Sequence, residues 1–139
     1  MNNLYRFNQV FKQTGLIYYT YAKQHHLSLT DFWIFYYLRL ENKPLSQSDM
    51  QMYVLLPKQT IHSAIHALEK KGFVEFIPST TKKKYFQLTE EGMIFTDSFI
   101  PYIMQAEEKA LQSLENTEVY LTMEQTFKKE LETTLWPSN

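Results

Sequence analysis

Hydrophobic side chains recur at intervals of three and four residues along most of the chain, which is the spacing of one helix face. Between residues 3 and 26 this pattern predicts a long amphipathic helix. Residues 31–41 are almost wholly aromatic and aliphatic, which predicts a second helix buried on most sides. Thr30 is the expected N-cap of this helix, since its hydroxyl can accept from a free backbone N–H, and Asp31 suits the helix dipole.

Two shorter helices are predicted next. Ser46 and Asp49, three residues apart, have the spacing of a capping box and predict a helix over about residues 47–54. Pro57 stands where a further helix can begin, because the first helical position needs no backbone N–H. That helix is expected to end near residue 71.

A β-hairpin is predicted after these helices. Gly72 suits the position just after a helix, where the backbone is left-handed. Two short strand-like runs follow at 73–77 and 84–88. The residues between them are polar and basic, so the hairpin should have a charged tip.

The last part of the chain again reads as helix. Thr89 is a good N-cap, and a helix is predicted from there to about residue 114, with a kink near Pro101 because proline cannot donate to the preceding turn. A final helix is predicted over 118–135. The predicted fold class is therefore mainly α, with a small β-hairpin.

Composition limits the class of protein. The length of 139 residues suits one domain spanning the whole chain, and the absence of cysteine excludes a disulfide framework, a thiolate metal site and a thiol redox sensor. No phosphate loop, nucleophile elbow or paired-histidine zinc motif occurs, so an enzyme is not expected. The sequence contains no long apolar run and no signal-peptide pattern at its start, and the expected location is cytoplasmic, without a membrane partner.

The charge is distributed unevenly, although the formal net charge is only −1. Residues 57–84 contain six lysines against two acids, whereas residues 89–139 contain ten acids against three lysines. A basic block within a neutral chain indicates a local anionic partner, and solvated surface lysines explain the charge alone equally well.

The helix over 57–71 discriminates better between these two interpretations. Ile61, Ile65 and Leu68 form one narrow apolar stripe that must face the core. The opposite side consists of Lys58, Gln59, Thr60, His62, Ser63 and His66. No acid lies between residues 57 and 68, as a surface facing phosphates requires, so we favour DNA over solvent as the partner of this face.

At residues 45–74 the sequence resembles the helix-turn-helix of the MarR family without a gap. Residues 68–74, Leu-Glu-Lys-Lys-Gly-Phe-Val, match the family's Leu-Glu-x-x-Gly-Leu-Val, and residues 88–92, Leu-Thr-Glu-Glu-Gly, match its Leu-Thr-x-x-Gly after the wing. The flanking helices also fall in the right order, so the resemblance covers essentially the whole chain.

This resemblance implies a winged helix-turn-helix of about residues 30–89, flanked by dimerisation helices at about 3–26 and 89–135. It further implies a homodimeric transcriptional regulator, expected to be a repressor, that binds an inverted repeat in double-stranded DNA. Such regulators are often released from DNA by a small ligand.

Several positions depart from the family pattern. The Asp-x-Arg of the wing corresponds to Thr80, Thr81 and Lys82, and a frequent arginine of the recognition helix falls on Ser63. The small residues of the family's turn fall on Gln51 and Leu55. Weaker DNA binding or a different sequence preference is therefore expected.

The candidate DNA contacts combine the recognition helix, its neighbour and the wing. They are Ser46, Lys58, Gln59, Thr60, His62, Ser63, His66, Lys82, Lys83 and Lys84. The rival hypothesis is a winged-helix module that binds protein, through its acidic C-terminal half or its aromatic surface, without sequence-specific DNA binding. The basic wing and the acid-free helix favour DNA.

Two further sets of side chains are candidate ligand sites. His62 and His66, four residues apart, could share a metal ion, but the chain has no cysteine and the nearest acid, Glu69, belongs to the Leu-Glu-x-x-Gly junction, so no metal or cofactor is expected. A pocket for a small aromatic or phenolic effector is a second hypothesis, with the candidates Tyr18, His25, Trp33, Tyr36 and Tyr37. Core packing and a dimer interface are the favoured explanation of these aromatic residues.

Overall fold

The computed structural model describes residues 2–138 and consists mainly of helices with one small antiparallel sheet. The helices are α1 (Asn3–Gln24), α2 (Leu29–Glu41), α3 (Gln47–Val54), α4 (Lys58–Lys70), α5 (Glu90–Asp97), α6 (Ile100–Gln112) and α7 (Thr117–Leu135). The strands are β1 (Leu45–Ser46), β2 (Val74–Ile77) and β3 (Tyr85–Leu88). The chain forms two compact units, one up to Ile100 and one from Pro101. The predicted fold class, mainly α with a β-hairpin wing, is confirmed.

The core of the first unit lies where α2, α4 and the sheet meet. Helix α2 buries Phe32, Ile34, Phe35 and Leu38, which explains its almost wholly apolar sequence. The rings of Phe35 and Phe95 pack edge to face with their centroids 5.6 Å apart. The aromatic residues therefore bind the second helix to the fifth.

The sheet has three strands in the order β1-β3-β2, one more than the sequence predicted. Strand β3 pairs with β2 in the hairpin, where Val74 lies opposite Leu88. On its other side β3 pairs with the two-residue strand β1, where Leu45 lies opposite Phe86. The chain entering α3 is thereby attached to the wing.

The start of α2 differs from the prediction. Ser28 is the N-cap, and its hydroxyl accepts from the backbone N–H of Asp31 at 3.1 Å. Thr30, the expected cap, lies one residue inside the helix. Serine is a somewhat better N-cap than threonine, so the local sequence is compatible with the observed start.

The predicted capping box of α3 is confirmed. The Ser46 hydroxyl accepts from the backbone N–H of Asp49 at 3.1 Å, and the Asp49 carboxylate accepts from the backbone N–H of Ser46 at 2.9 Å. This second hydrogen bond lowers the pKa of Asp49 below its ordinary value, because it stabilises the charged carboxylate.

The junction between α4, the wing and α5 depends on two glycines. Gly72 has a φ of +83°, in the left-handed region predicted for it. A Cβ on Gly92 would collide with the backbone carbonyl of Phe73, so only glycine allows this approach. Thr89 completes the junction, since its hydroxyl donates to the Gly72 carbonyl at 2.6 Å and accepts from the Gly92 N–H.

The helix predicted over residues 89–114 is in fact two helices. Helix α5 ends at Asp97 and α6 begins at Ile100, so the predicted kink is a complete break. Pro101 has no backbone N–H and cannot donate to the carbonyl of Asp97, four residues earlier. At the end of α5 the Ser98 hydroxyl donates to the Phe95 carbonyl at 2.7 Å. The sequence thus predicted the position of the interruption, but it predicted a kink where the structure has two separate helices.

Beyond Pro101 the second unit contains the rest of α6 and the whole of α7. Asn116 caps α7 by accepting from the Val119 N–H at 3.0 Å, and the Thr117 hydroxyl donates to the Leu111 carbonyl at 2.8 Å. Helix α7, described in full, has no buried residue. Within residues 2–138, none of the helices has the length and apolar character to cross a membrane.

Candidate nucleic-acid interface

Helices α3 and α4 are joined by a three-residue turn that requires an unusual backbone conformation. Leu55 ends α3 with a φ of +60°, and its N–H donates to the Gln51 carbonyl at 2.9 Å. A left-handed conformation of this kind costs a residue with a Cβ roughly 1–2 kcal/mol. The side chain of Leu55 is 80% exposed and recovers none of this cost by burial.

Helix α4 has one buried and one exposed side, as its sequence pattern predicts. Ile61, Ile65 and Leu68 are at most 1% exposed. The six polar candidates on the other side, Lys58, Gln59, Thr60, His62, Ser63 and His66, are all exposed. The rotation of the helix is therefore the predicted one, and an acid-free polar surface faces outward.

Ser46 does not belong to this exposed surface. Its side chain lies buried, at 1% exposure, and its hydroxyl serves the α3 cap and makes a hydrogen bond with the Ser48 hydroxyl at 3.0 Å. The expectation that Ser46 contacts DNA directly is corrected accordingly, because a buried hydroxyl already engaged in a cap cannot reach a phosphate. Ser48, two residues further on in α3, is exposed.

Gln47 joins α3 to the exposed face of α4, a contact that sequence reasoning did not find. Its side-chain Nε2 donates to the Lys58 carbonyl at 3.3 Å, and its Oε1 lies 3.0 Å from Nδ1 of His62. One amide group thus bridges the start of the recognition helix and a candidate DNA contact.

His66 is held differently from His62, although the two imidazole rings lie 4.3 Å apart. Its ring stacks on Phe76 of β2 at 5.3 Å, and its Nδ1 lies 3.4 Å from a carboxylate oxygen of Glu69. Within residues 2–138, the structure brings no three metal-ligating side chains together. Both histidines are exposed, and His66 also packs against the wing.

The wing presents three consecutive exposed lysines, Lys82, Lys83 and Lys84. Its tip is ordered by short-range hydrogen bonds, since the Ser79 hydroxyl accepts from the Thr81 N–H at 3.1 Å. The Thr81 hydroxyl in turn donates to the Lys83 carbonyl at 3.3 Å. These bonds stabilise a tip that lacks the aspartate–arginine pairing of the family.

An open concavity of about 730 Å³ separates the wing from α4. It is lined by His66 and Glu69 on the helix side and by Phe76, Lys82 and Lys84 on the wing side, together with residues of the tip. Of the candidate DNA contacts, His66 of the helix and Lys82 and Lys84 of the wing thus line the same concavity, together with the acidic Glu69.

The candidate effector residues divide into two groups. Tyr18, Tyr36 and Tyr37 surround Trp33, with ring centroids 5.0, 5.1 and 6.1 Å from the Trp33 ring. The His25 ring instead stacks on Phe99 at 4.9 Å and contacts Tyr21 at 4.8 Å. The Tyr21 hydroxyl donates to the Phe99 carbonyl at 2.7 Å. All five candidate residues are half-buried, and both the ligand role and the packing role stay predictions.

The model of the MarR family matches residues 25–84, which span α2, both helices of the helix-turn-helix and the wing up to its tip. The resemblance to the MarR family is confirmed. A comparison with curated proteins gives no significant match.

Solved structures extend the MarR likeness to nearly the whole chain. NMB1585, a MarR family regulator from Neisseria meningitidis, has a TM-score of 0.81 at 19% identity, with 97% of both chains covered. The transcription regulator MarR from Oenococcus oeni has a TM-score of 0.74 at 22% identity, covering 94% of this chain and 99% of its own. MepR from Staphylococcus aureus in a complex with DNA has a TM-score of 0.70 at 16% identity, with 96% of both chains covered. The terminal helices thus share the MarR fold with the winged centre.

Proposed function

We propose that this protein is a transcriptional regulator that binds double-stranded DNA as a homodimer, with α4 in the major groove. The observation that carries the proposal is the exposed side of α4, which is polar, basic at Lys58 and free of acids from residue 57 to 68. The major groove admits an α-helix, and amide, hydroxyl and imidazole groups can bond to base edges and phosphates.

The wing supplies the second part of the proposed contact. Lys82, Lys83 and Lys84 lie exposed beside the concavity that α4 also lines. Lysines at such a position neutralise phosphates and release counterions, which adds affinity without sequence preference. Helix α4 would then supply the sequence preference.

The homodimer follows from apolar surface that the chain does not bury. Leu4, Val10, Phe11 and Ile17 of α1 are more than half exposed, and α7 has a similar exposed series. A two-fold dimer would cover such surface and present two recognition helices. Its operator would be an inverted repeat with half-sites about one helical turn apart.

Further parts of the proposal rest on the family. MepR has been solved in a complex with DNA, which supports the same use of this fold here. We extend the proposal to repression and to release by a small aromatic ligand held near Trp33. The cytoplasmic location expected from the sequence stays part of this proposal, because DNA is the proposed partner.

Selection of bound sequences from random duplex DNA tests the proposal. The protein should enrich an inverted repeat, and His62→Glu, which places an acid on the acid-free face, should abolish the enrichment. Thr122→Glu, which adds the same charge to exposed α7, is the matched control and should leave the enriched sequence unchanged. Recovery of unselected DNA by the wild type would contradict the proposal.

A protein-binding module is the second candidate function. Met52 and Leu55, beside the turn of the helix-turn-helix, are 70% and 80% exposed and form an apolar spot next to the polar face of α4. The same selection separates the two candidates, since a protein-binding module would enrich no DNA sequence.

A further inference from the structure

The amide of Gln47 has only one orientation that satisfies both of its neighbours. The Lys58 carbonyl is an acceptor, so the group 3.3 Å from it must be the amide nitrogen Nε2. The group 3.0 Å from Nδ1 of His62 is therefore the amide oxygen Oε1, which can only accept.

This orientation determines the tautomer of His62. Since Oε1 of Gln47 can only accept, Nδ1 of His62 must carry the proton of the contact. In the neutral ring, Nε2 then has a lone pair and acts as an acceptor. Among residues 2–138, none makes a hydrogen bond with this second nitrogen, and the side chain is exposed.

The other groups that face the two rings leave this assignment intact. Next to His62 stands His66, whose own Nδ1 is turned to Glu69 and whose ring is stacked on Phe76. The Glu69 carboxylate is thus hydrogen-bonded to His66. Within residues 2–138, the hydrogen-bonding partner of His62 is the neutral amide of Gln47. A neutral partner does not demand a charged ring.

We propose that Gln47 is a positioning residue that makes Nε2 of His62 a hydrogen-bond acceptor for one base of each half-site. In the major groove the donors are the amino groups of adenine and cytosine. His62 would therefore favour an adenine or a cytosine at one position and disfavour guanine and thymine there. This inference rests on the proposed function and specifies how one residue of the face reads sequence.

The tautomer can be measured without DNA. Long-range ¹H–¹⁵N spectra of the histidine side chains at pH 8 should show His62 protonated at Nδ1 in the wild type, and Gln47→Leu should lose this preference. His62→Gln assigns the signal. Protonation of the wild-type ring at Nε2 would overturn the inference, whether or not the protein binds DNA.

The base preference gives a second, independent readout. In selections from random duplex DNA, Gln47→Leu should relax one position of each half-site by roughly 5- to 100-fold, the effect of one lost base contact, and leave the others unchanged. Gln47→Glu should reverse the preference at that position toward guanine or thymine, because a carboxylate favours the doubly protonated ring, whose Nε2–H donates to their acceptor oxygens. The double variant Gln47→Glu with His62→Ala should show no reversal.

The outcomes distinguish this inference from the proposed function. An inverted repeat enriched identically by the wild type and by Gln47→Leu would overturn the role of Gln47 and leave DNA binding standing. Failure of the wild type to enrich any sequence would overturn both. Melting curves of both Gln47 variants separate a loss of fold from a change in preference.

Discussion

Helices α4 and α7 are both amphipathic, but α4 buries its apolar residues and α7 leaves its apolar residues exposed. Helix α4 buries Ile61, Ile65 and Leu68 almost completely, whereas Met123 and Leu131 of α7 are 63% and 49% exposed. The apolar side of α4 is therefore buried against the rest of the chain, and its polar side is available to a partner. In α7 the apolar side itself is available. We therefore propose different partners for the two helices, DNA for α4 and a second copy of the chain for α7.

The largest expected effect comes from the buried side of α4. Leu68→Ala should lower the free energy of unfolding by roughly 2–5 kcal/mol, because it removes a buried side chain and leaves a cavity. Chemical denaturation measures the change. Lys70→Ala, on the exposed side of the same helix, is the control and should change it little. Equal losses from both variants would mean that the two sides of α4 do not differ.

The exposed apolar side of α7 should matter for assembly. Leu131→Lys should raise the dissociation constant of the dimer at least tenfold, because burial of a leucine at an interface is worth roughly 1.5–3 kcal/mol. Sedimentation equilibrium measures it. Gln125→Lys adds the same charge to the same exposed helix without removing an apolar group, and should have a smaller effect. A wild-type chain that is monomeric at micromolar concentration would contradict the dimer.

The wing should affect affinity for every DNA sequence alike. Replacing Lys82, Lys83 and Lys84 by alanine should weaken binding and flatten its salt dependence, by about 0.9 in the log–log slope for each lost phosphate contact. Binding isotherms at several salt concentrations give the slope. The triple replacement of Lys12, Lys23 and Lys109 removes the same charge elsewhere. If this control flattens the slope equally, the effect belongs to net charge and not to the wing.

The smallest expected effect is at the turn before α4, where a substitution should stabilise the fold instead of destabilising it. Leu55→Gly should stabilise the fold by up to about 1 kcal/mol, because glycine adopts the left-handed φ of +60° without steric cost and the lost side chain is exposed. Thermal melting measures the gain. Met52→Gly, in the helix just before, should instead destabilise by about 1 kcal/mol.

The sequence predicted the elements that repeat a pattern over two or more turns. The stripe of Ile61, Ile65 and Leu68 determined the rotation of α4, because burial of apolar groups and the helical period together permit only one side to face the core. The wing and the caps at Ser46 and Thr89 were equally predictable, since each is a local arrangement of a few neighbouring residues.

What the sequence did not predict depends on contacts between distant residues. Strand β1 has two residues, too few for an alternating pattern, and exists because Leu45 lies opposite Phe86. The contact of Gln47 with His62 joins two helices across fifteen residues, and no local sequence pattern predicts it. The burial of Ser46 has the same origin, because it pairs with Tyr85 of β3 and is 1% exposed.

The account depends most directly on which side of α4 reads DNA. The decisive measurement is the affinity of wild type and Ser63→Ala for the enriched duplex and for duplexes with single base changes, together with both melting temperatures. Ser63→Ala should melt with the wild type and lose roughly 1–3 kcal/mol of preference at one position of each half-site. A lowered melting temperature with unchanged base preference would contradict the account, because it would mean that Ser63 supports the fold and does not face the groove.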